Sequence, residues 1–282
     1  MKKLKEFTVK YWQKIRSEIA WPKKILFMLT IFGLALAGYL IYAHYTQVLP
    51  DAAIYFLNDA KTPQKNDRVL VFTPHPDDET LGAGGFIYDA EKNGAEVKVV
   101  LATDGNKHGL RDQRYAEFRK ATADLGVKNN DLVFLGHHDG QLSSENQDQV
   151  YAEFKREVDN FHPDFVLFTS PQDSHPDHAD TGRIAEKVLK DDNYQSNEYE
   201  FLIHADRYPQ PKSYRPNNYL LPPSRLVTFD KEWQRYLLSS ETENQKLKAV
   251  TEYKSQLNTP ILRSVIYALI RKNELFSIRG GN

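Results

Sequence analysis

Between residues 68 and 256 the sequence alternates short apolar runs with longer segments of helical pattern, and this alternation restricts the possible folds more than any other feature. Strands that alternate with helices form βαβ units, in which each helix crosses over the sheet between two parallel strands. The fold class expected is therefore α/β, a Rossmann-like, doubly wound, mostly parallel sheet with flanking helices. The predicted strands are 68–73, 96–102, 131–135, 164–169, 199–205 and 225–229. The predicted helices are 79–93, 111–125, 147–160, 178–190 and 231–256.

The N-terminal residues predict one transmembrane helix in addition. Residues 1–24 carry eight Lys or Arg against two Glu, and residues 25–43 follow without a single charge. A helix of this length crosses roughly 30 Å of hydrocarbon. The positive-inside rule keeps the basic arm in the cytoplasm, so the rest of the chain is expected outside, on a single-pass signal anchor in the lipid bilayer. The alternative is a secreted protein, cleaved after the small residues Ala35-Leu-Ala37.

Composition and prolines divide the chain into five segments. They are a basic cytoplasmic arm at 1–24, the transmembrane anchor at 25–43, a linker at 44–66, the α/β domain at 67–258 and a C-terminal tail or helix at 259–282. One helical turn is expected in the linker, around residues 52–57. The proline-rich stretch 208–223 predicts a long loop, either a surface connection or a wall of a substrate groove.

Charge and cysteine content limit the possible partners and cofactors. The formal net charge of −1 gives no reason to expect nucleic acid as a partner. The chain has no cysteine, which excludes disulfides and thiolate metal sites. Any transition-metal site must therefore be built from His, Asp and Glu. No pattern in the sequence identifies a protein partner, so protein partners stay unknown.

Four polar side chains directly follow the first predicted strand. They are His75, Asp77, Asp78 and Glu79, and Pro76 stiffens the turn that carries them. In open α/β sheets, ligands and catalytic groups collect at the carboxyl ends of strands. Imidazole and carboxylate together suit a divalent cation. The alternative is an ordinary helix N-terminus, where Asp and Glu are favoured by capping and by the helix dipole.

A second cluster of the same composition follows the predicted strand 164–169. It extends from Asp173 to Asp180 and contains His175, Asp177 and His178. Two strand-end turns that each carry His-Pro-Asp can face each other across a parallel sheet. Together they can supply the three protein ligands of a catalytic zinc site and leave one position open for water.

These two motifs resemble those of a known family. Pro74-His-Pro-Asp-Asp-Glu79 and His175-Pro-Asp-His178 resemble the PIG-L family, also called LmbE-like, of zinc-dependent N-acetylglucosaminide de-N-acetylases. Further segments follow in the order that the family shows. They are 81–85, 101–105, 114–117 with 123–126, 134–140 and 248–256. The resemblance covers residues 67–258 and does not reach the first 66.

The resemblance implies a role for each residue of the two motifs. His75, Asp78 and His178 would be the metal ligands. Zn²⁺ is the expected ion, and Fe²⁺, Co²⁺ or Mn²⁺ could replace it. Asp77 would be the general base, and His175 would stabilise the tetrahedral oxyanion as an imidazolium.

Three more residues have implied roles around the metal. Asp177 would orient a histidine ring. Arg114 and Asp139 fall where the family contacts sugar hydroxyls. Their alternatives are a salt bridge on a helix surface for Arg114 and an Asp-Gly turn for Asp139. The loop 103–109 is expected to border the site as well.

The function expected is removal of the N-acetyl group from an N-acetylglucosamine-type sugar on a cell-envelope or lipid-linked glycan. Two alternatives stay open. One is a non-catalytic, glycan-binding α/β domain with a structural metal, and the other is an amidase for a different acyl amide. Some family members have an aromatic residue where this chain has Gln172-Asp173-Ser174, so substrate detail from relatives of small-thiol pathways does not transfer.

Overall fold

The computed structural model describes residues 21–46 and 49–279, and the chain divides into two compact units, 1–46 and 47–282. Within the first unit, helix α1 spans Trp21–Thr46 and is longer than the predicted segment 25–43 at both ends. Residues Trp21–Tyr45 are long and apolar enough to cross a membrane, a property that signal sequences share. Most of the basic arm, residues 1–20, lies outside the described residues.

The second unit contains one eight-stranded sheet within residues 49–279. Its strands are β1 Asn58–Asp59, β2 Arg68–Thr73, β3 Glu96–Thr103, β4 Leu132–His137, β5 Phe165–Thr169, β6 Asn197–Phe201, β7 Lys231–Leu237 and β8 Asn273–Arg279. The order across the sheet is β1-β7-β8-β6-β5-β2-β3-β4. Only β8 runs antiparallel to its neighbours, β6 and β7. The predicted mostly parallel α/β sheet is confirmed.

Helices cover both faces of this sheet. They are α2 Asp78–Asn93, α3 Arg111–Asp124, α4 Gln147–Phe161, α5 Pro176–Asp191, α6 Ser240–Val250, α7 Lys254–Leu257 and α8 Pro260–Ala268. Along β2, Val69 and Val71 pack into one hydrophobic core, and Leu70 and Phe72 pack into the other. A strand buried on both faces needs apolar side chains at every position, which explains its unbroken apolar run.

The structure corrects the sequence prediction between residues 225 and 256. The predicted strand 225–229 is wrong, because a 3₁₀ turn, Ser224–Leu226, and an irregular segment occupy it. The predicted helix 231–256 is wrong in its first third, which forms β7. Strand β7 pairs along its whole length with β8, and this long-range pairing overrides the local helical pattern. Helix α6 begins only after Ser239, whose side chain accepts a hydrogen bond from Thr242 N.

The C-terminal segment 259–282 contains helix α8 and strand β8, and β8 lies inside the sheet between β7 and β6.

The helical turn expected around 52–57 is confirmed as a 3₁₀ turn at Asp51–Phe56. Two hydrogen bonds from the buried Arg271 stabilise the long loop 208–223. Arg271 donates to Pro211 O at 2.9 Å and to Ser213 O at 3.1 Å.

Candidate active site

The two histidine motifs meet at the carboxyl ends of β2 and β5. These strands are parallel neighbours, with Val69 paired to Phe165 and Phe72 to Phe168. The turn after β2 leads into α2, and the turn after β5 leads into α5. Since parallel strands end at the same edge of a sheet, the two turns lie side by side.

Three potential ligand atoms form a small triangle at this edge. His75 Nδ1 lies 3.1 Å from Asp78 Oδ2 and 3.1 Å from His178 Nε2, and His178 Nε2 lies 3.1 Å from Asp78 Oδ2. All three side chains are buried. Ligand atoms about 2.0–2.1 Å from a tetrahedral zinc ion are about 3.3 Å from one another. The donor set and its spacing therefore fit one small divalent cation with an open fourth position.

A carboxylate lies next to the other nitrogen of each ring. His75 Nε2 lies 3.1 Å from Asp177 Oδ2, and this carboxylate also accepts hydrogen bonds from Gly140 N at 2.6 Å and Leu142 N at 3.1 Å. His178 Nδ1 lies 3.3 Å from Asp173 Oδ2. A carboxylate behind a ligating histidine sets the tautomer and the orientation of its ring. Asp177 therefore contacts the ring of His75 and two backbone N–H groups at the same time.

Two other groups in the described residues have compatible spacing. The ligand atoms of His75, His175 and His178 lie within 4.8 Å of one another, as do those of His75, Asp139 and Asp177. The second group surrounds His75 Nε2, the nitrogen that does not point into the triangle. The ligand atoms of the His75–Asp78–His178 triangle lie 3.1 Å from one another, whereas the group around His75 Nε2 includes a distance of 3.4 Å to Asp139 Oδ1.

The pKa values of His75 and His178 show that the charges of histidines and carboxylates stabilise one another at this edge. Burial alone would lower the pKa of His178, but Asp78 and Asp173 outweigh it and raise the pKa to about 9. Burial likewise opposes a charge on His75, yet hydrogen bonds to Asp139, Asp177 and Asp78 hold its pKa well above the ordinary value. A divalent cation must therefore displace protons from both rings when it binds.

Asp77 lies beside the triangle in an unusual backbone conformation. It is the N-cap residue of α2, but its φ is 133° and its side chain makes no capping hydrogen bond. Such a φ is costly for a residue other than glycine. Glu79 helps to hold it, because Glu79 Oε2 accepts a hydrogen bond from Asp77 N at 3.2 Å. Burial, and then the charge of Asp78, raise the pKa of Asp77 to about 8 against the opposing effect of Arg114.

His175 is the N-cap residue of α5 and faces the other two histidines. Its ring centroid lies 4.8 Å from that of His75 and 5.0 Å from that of His178. Its Nδ1 is buried without a hydrogen-bond partner among the described residues. Burial, and then the charges of His75 and His178, lower the pKa of His175 to about 4. The ring is therefore neutral near pH 7, in contrast to the imidazolium expected from the sequence, and its N–H remains a hydrogen-bond donor.

Comparison with known proteins shows what the chain is similar to. Residues 70–189 match the family described as PIG-L: GlcNAc-PI de-N-acetylase. This part of the chain is a PIG-L family domain. The chain is 31% identical over 150 residues to a probable N-acetyl-alpha-D-glucosaminyl L-malate deacetylase 2 of Bacillus cereus, with 49% of this chain and 66% of the relative covered. It is 29% identical over 127 residues to the diacetylchitobiose deacetylase of Thermococcus kodakarensis, with 41% of this chain and 46% of the relative covered.

These curated matches span less than two thirds of the relatives' own lengths. Solved structures show the same fold over more of the chain. The N,N'-diacetylchitobiose deacetylase of Pyrococcus horikoshii aligns with a TM-score of 0.52 at 23% identity, over 76% of this chain and 84% of that one. The A40926 pseudoaglycone deacetylase Dbv21 aligns with a TM-score of 0.57 at 17% identity, over 77% and 100%.

Arg114 and Asp139 form a pair on the wall of the PIG-L site. Arg114 is buried and donates to Pro76 O at 2.9 Å, Gly105 O at 3.2 Å and Asp139 Oδ2 at 3.3 Å. This position excludes the alternative of a salt bridge on the helix surface. Asp139 Oδ1 lies 3.4 Å from His75 Nε2. Burial opposes the charge of Asp139, but His75 and Arg114 outweigh it and lower its pKa to about 2.

The PIG-L site opens into a cavity of about 450 Å³. The predicted metal ligands, Asp77, His175, Arg114 and Asp139 all line it, together with Gly105, Lys107 and His108 of the loop 103–109. None of the residues 208–223 lines it, so within the described residues this loop is not a wall of the cavity. Helix α8 contributes three aliphatic residues to the lining, Leu262, Val265 and Ile266, and we refer to them as the aliphatic wall.

Sequence reasoning missed two polar residues and the aliphatic wall. Asp173 was noted in its motif without a role, although its Oδ2 lies beside His178 and also accepts from Ile203 N at 3.0 Å and His204 N at 2.8 Å. His204 lines the cavity just after β6. The rule that functional side chains collect at the carboxyl ends of strands could have identified His204. The wall from α8 has no signal in the sequence motifs.

Proposed function

We propose that this PIG-L domain is a zinc-dependent hydrolase that removes the N-acetyl group from an N-acetylglucosamine-type sugar on a cell-envelope or lipid-linked glycan. The observation that carries the proposal is the open triangle of His75, Asp78 and His178 with a buried, unligated Asp77 beside it. The curated relatives support the substrate class, since their names describe deacetylases of N-acetylated glucosamine compounds.

His75, Asp78 and His178 would hold the cation. When bound, it would polarise the amide carbonyl and acidify a water molecule at the open position. Two imidazoles and one carboxylate suit Zn²⁺, and the same donors also accept Fe²⁺, Co²⁺ or Mn²⁺.

The residues around the cation would move the protons. Asp77 accepts the proton of the attacking water and later delivers it to the leaving amine, and its raised pKa suits both steps. His175 donates an N–H to the carbonyl oxygen as negative charge develops there. Arg114 and Asp139 present a charged donor and a charged acceptor to sugar hydroxyls on the cavity wall.

A non-catalytic domain with a structural metal is the less favoured reading. A structural zinc site is normally closed by four protein ligands. Here three ligand atoms lie close together, and the fourth position faces a cavity large enough for a sugar. The side chain of Asp77 also makes no capping hydrogen bond to α2, so it does not act as a structural N-cap.

Helix α1 supports an accompanying proposal on location. We propose that α1 is a single-pass anchor, with a cytoplasmic N-terminus and the PIG-L domain outside the membrane. Its length and composition, and the eight basic residues among the first 24, support this orientation.

Acetate release tests the activity. The full-length protein in detergent is incubated with N-acetylhexosamine lipids, oligosaccharides and nucleotide sugars, and released acetate is measured. We expect release from at least one of these classes, loss after chelation and recovery on addition of Zn²⁺. Tight binding of a sugar by the metal-loaded protein without any acetate release would support the non-catalytic domain instead.

A further inference from the structure

Four large apolar side chains protrude into solvent at one end of two neighbouring strands. Tyr55 is 74% exposed, Phe56 88%, Val227 52% and Phe229 112%, and we refer to these four residues as the aromatic edge. Large apolar side chains that remain this exposed and lie together are typical of a surface that another apolar phase covers.

The aromatic edge is a single region because its two segments enter adjacent strands. Tyr55 and Phe56 lie just before β1, and Phe229 lies just before β7. Strands β1 and β7 are parallel neighbours, with Asn58 paired to Gln234. Because Gln234 is the fourth residue of β7, Phe56 and Phe229 are offset by three residues along the strand direction, or roughly 10 Å, on two adjacent strands.

Buried contacts hold both segments in place. Ile54 is 1% exposed, and its carbonyl accepts a hydrogen bond from Arg235 Nη1 at 2.7 Å. Arg235 Nε also donates to Asp59 Oδ1 at 2.7 Å. On the other segment, Trp233 Nε1 donates to Leu226 O at 2.9 Å. The exposed aromatic rings are therefore presented by anchored backbone.

The length of the chain limits how far this edge can lie from the end of α1. Helix α1 ends at Thr46, and the 3₁₀ turn that carries Tyr55 and Phe56 begins at Asp51. Five residue steps of at most ~3.6 Å span no more than about 18 Å. If α1 crosses a bilayer, the turn must remain close to the surface of that bilayer.

We propose that the aromatic edge inserts into the interfacial layer of the bilayer that holds α1. This inference rests on the proposed membrane anchor. Aromatic side chains are enriched at the membrane interface, where amphipathic rings such as that of Tyr55 meet both headgroups and acyl chains. The domain is already connected to the bilayer through the chain that leads to α1, and the insertion adds a second attachment. Two attachments give the PIG-L domain a defined orientation on the bilayer surface.

This orientation narrows the substrate class. Lys231 pairs with Arg279, and Glu200 pairs with Ser277, so Lys231 is level with residue 198 of β6. Strand β6 ends three residues later, at Phe201, and His204, which lines the cavity, lies past that end. The cavity therefore lies beyond the carboxyl end of β6, on the side of the sheet away from Phe229. It suits an N-acetylated sugar on a glycan that extends from the membrane, rather than one attached directly to a lipid headgroup.

The absence of cysteine from the chain makes the test direct. Phe56→Cys and Phe229→Cys variants of the full-length protein are labelled with an environment-sensitive fluorophore and reconstituted in vesicles of phosphatidylethanolamine and phosphatidylglycerol. Ser143→Cys is the matched control, because Ser143 is exposed and follows β4 at the opposite end of the sheet. Doxyl-labelled lipid in the same vesicles reports contact with the bilayer.

We expect blue-shifted emission and quenching by doxyl lipid at positions 56 and 229, and neither effect at position 143. Water-like emission at 56 and 229, in protein that remains in the vesicles after alkaline extraction, would overturn the docking and leave the anchor intact. Blue-shifted emission at positions 56 and 229 without quenching by doxyl lipid would identify a protein partner instead, and it would also overturn the docking to the bilayer. Loss of the protein from the vesicles on extraction would refute both the anchor and the docking.

Discussion

Replacing Gly182 with alanine tests how tightly α5 must approach the sheet to place its histidine. Gly182 lies on α5, one turn after His178. A Cβ at this position would be 2.2 Å from Thr169 O and 2.8 Å from Pro171 N, both backbone atoms at the end of β5. Since a carbon and a carbonyl oxygen normally stay about 3.3 Å apart, α5 must move by about 1 Å.

Stability and activity should respond very differently to this shift. Overpacking costs about 1–3 kcal/mol, and alanine in place of glycine in a helix offsets up to ~1 kcal/mol of it. The free energy of unfolding should therefore fall by only about 0–2 kcal/mol. His178 moves with the helix, and a misplacement of 1 Å near reacting groups can cost about 10²-fold in rate. Urea unfolding, metal content and acetate release measure the three effects.

Gly84→Ala is the matched control for Gly182→Ala. Gly84 is also in a helix next to the site, but a Cβ there would meet its nearest neighbours, in Lys246 and Thr80, at 3.4 Å. We expect unchanged metal content and activity, with a gain of up to ~1 kcal/mol in stability. Wild-type metal content and acetate release in Gly182→Ala would refute the argument that this contact places His178.

Four further outcomes follow from the site and the anchor. Asp77→Asn should keep the metal and lose about 10²–10⁴-fold of the acetate release, and wild-type activity would mean that another residue is the base. Elemental analysis should find about one divalent ion per chain, and full metal content in a His75→Ala/His178→Ala double variant would contradict the ligand assignment. Metal affinity of the apo protein, measured by calorimetry, should rise with pH up to about 9, because His178 is protonated below that value; a flat profile would contradict its pKa. Protease added to intact cells should digest the domain of a protein with a C-terminal epitope, and digestion only after lysis would reverse the proposed topology.

The accuracy of the sequence prediction depended on the range of the interactions involved. The strand at 68–73 and the helix after it were predicted almost to the residue, because an unbroken apolar run and a helical period are local signals. Strand β7 was mistaken for helix, because its conformation is stabilised by pairing with β8, about forty residues later in the chain. Sequence pattern alone cannot detect that partner.

The same division applies to the site. The two His-Pro-Asp motifs and their position after strands are visible in the sequence, and their resemblance to the PIG-L family implied the three proposed ligands. Their actual environment required the tertiary structure. Asp173 gains its contact with His178 only because the turn after β5 folds back on the segment after β6. The low pKa of His175 results from burial and from two charged rings brought close by the fold.

The sequence by itself determined the fold class, the two histidine motifs and the apolar N-terminal segment, since each depends on residue types at short spacing. Only the tertiary structure decided which ring nitrogen of His75 faces the ligand triangle, how closely α5 packs at Gly182 and which aromatic side chains remain exposed beside β1 and β7. Each of these depends on atoms that are distant in the chain and meet only when the sheet is assembled. Their positions are set by packing and long-range strand pairing, which no local pattern encodes.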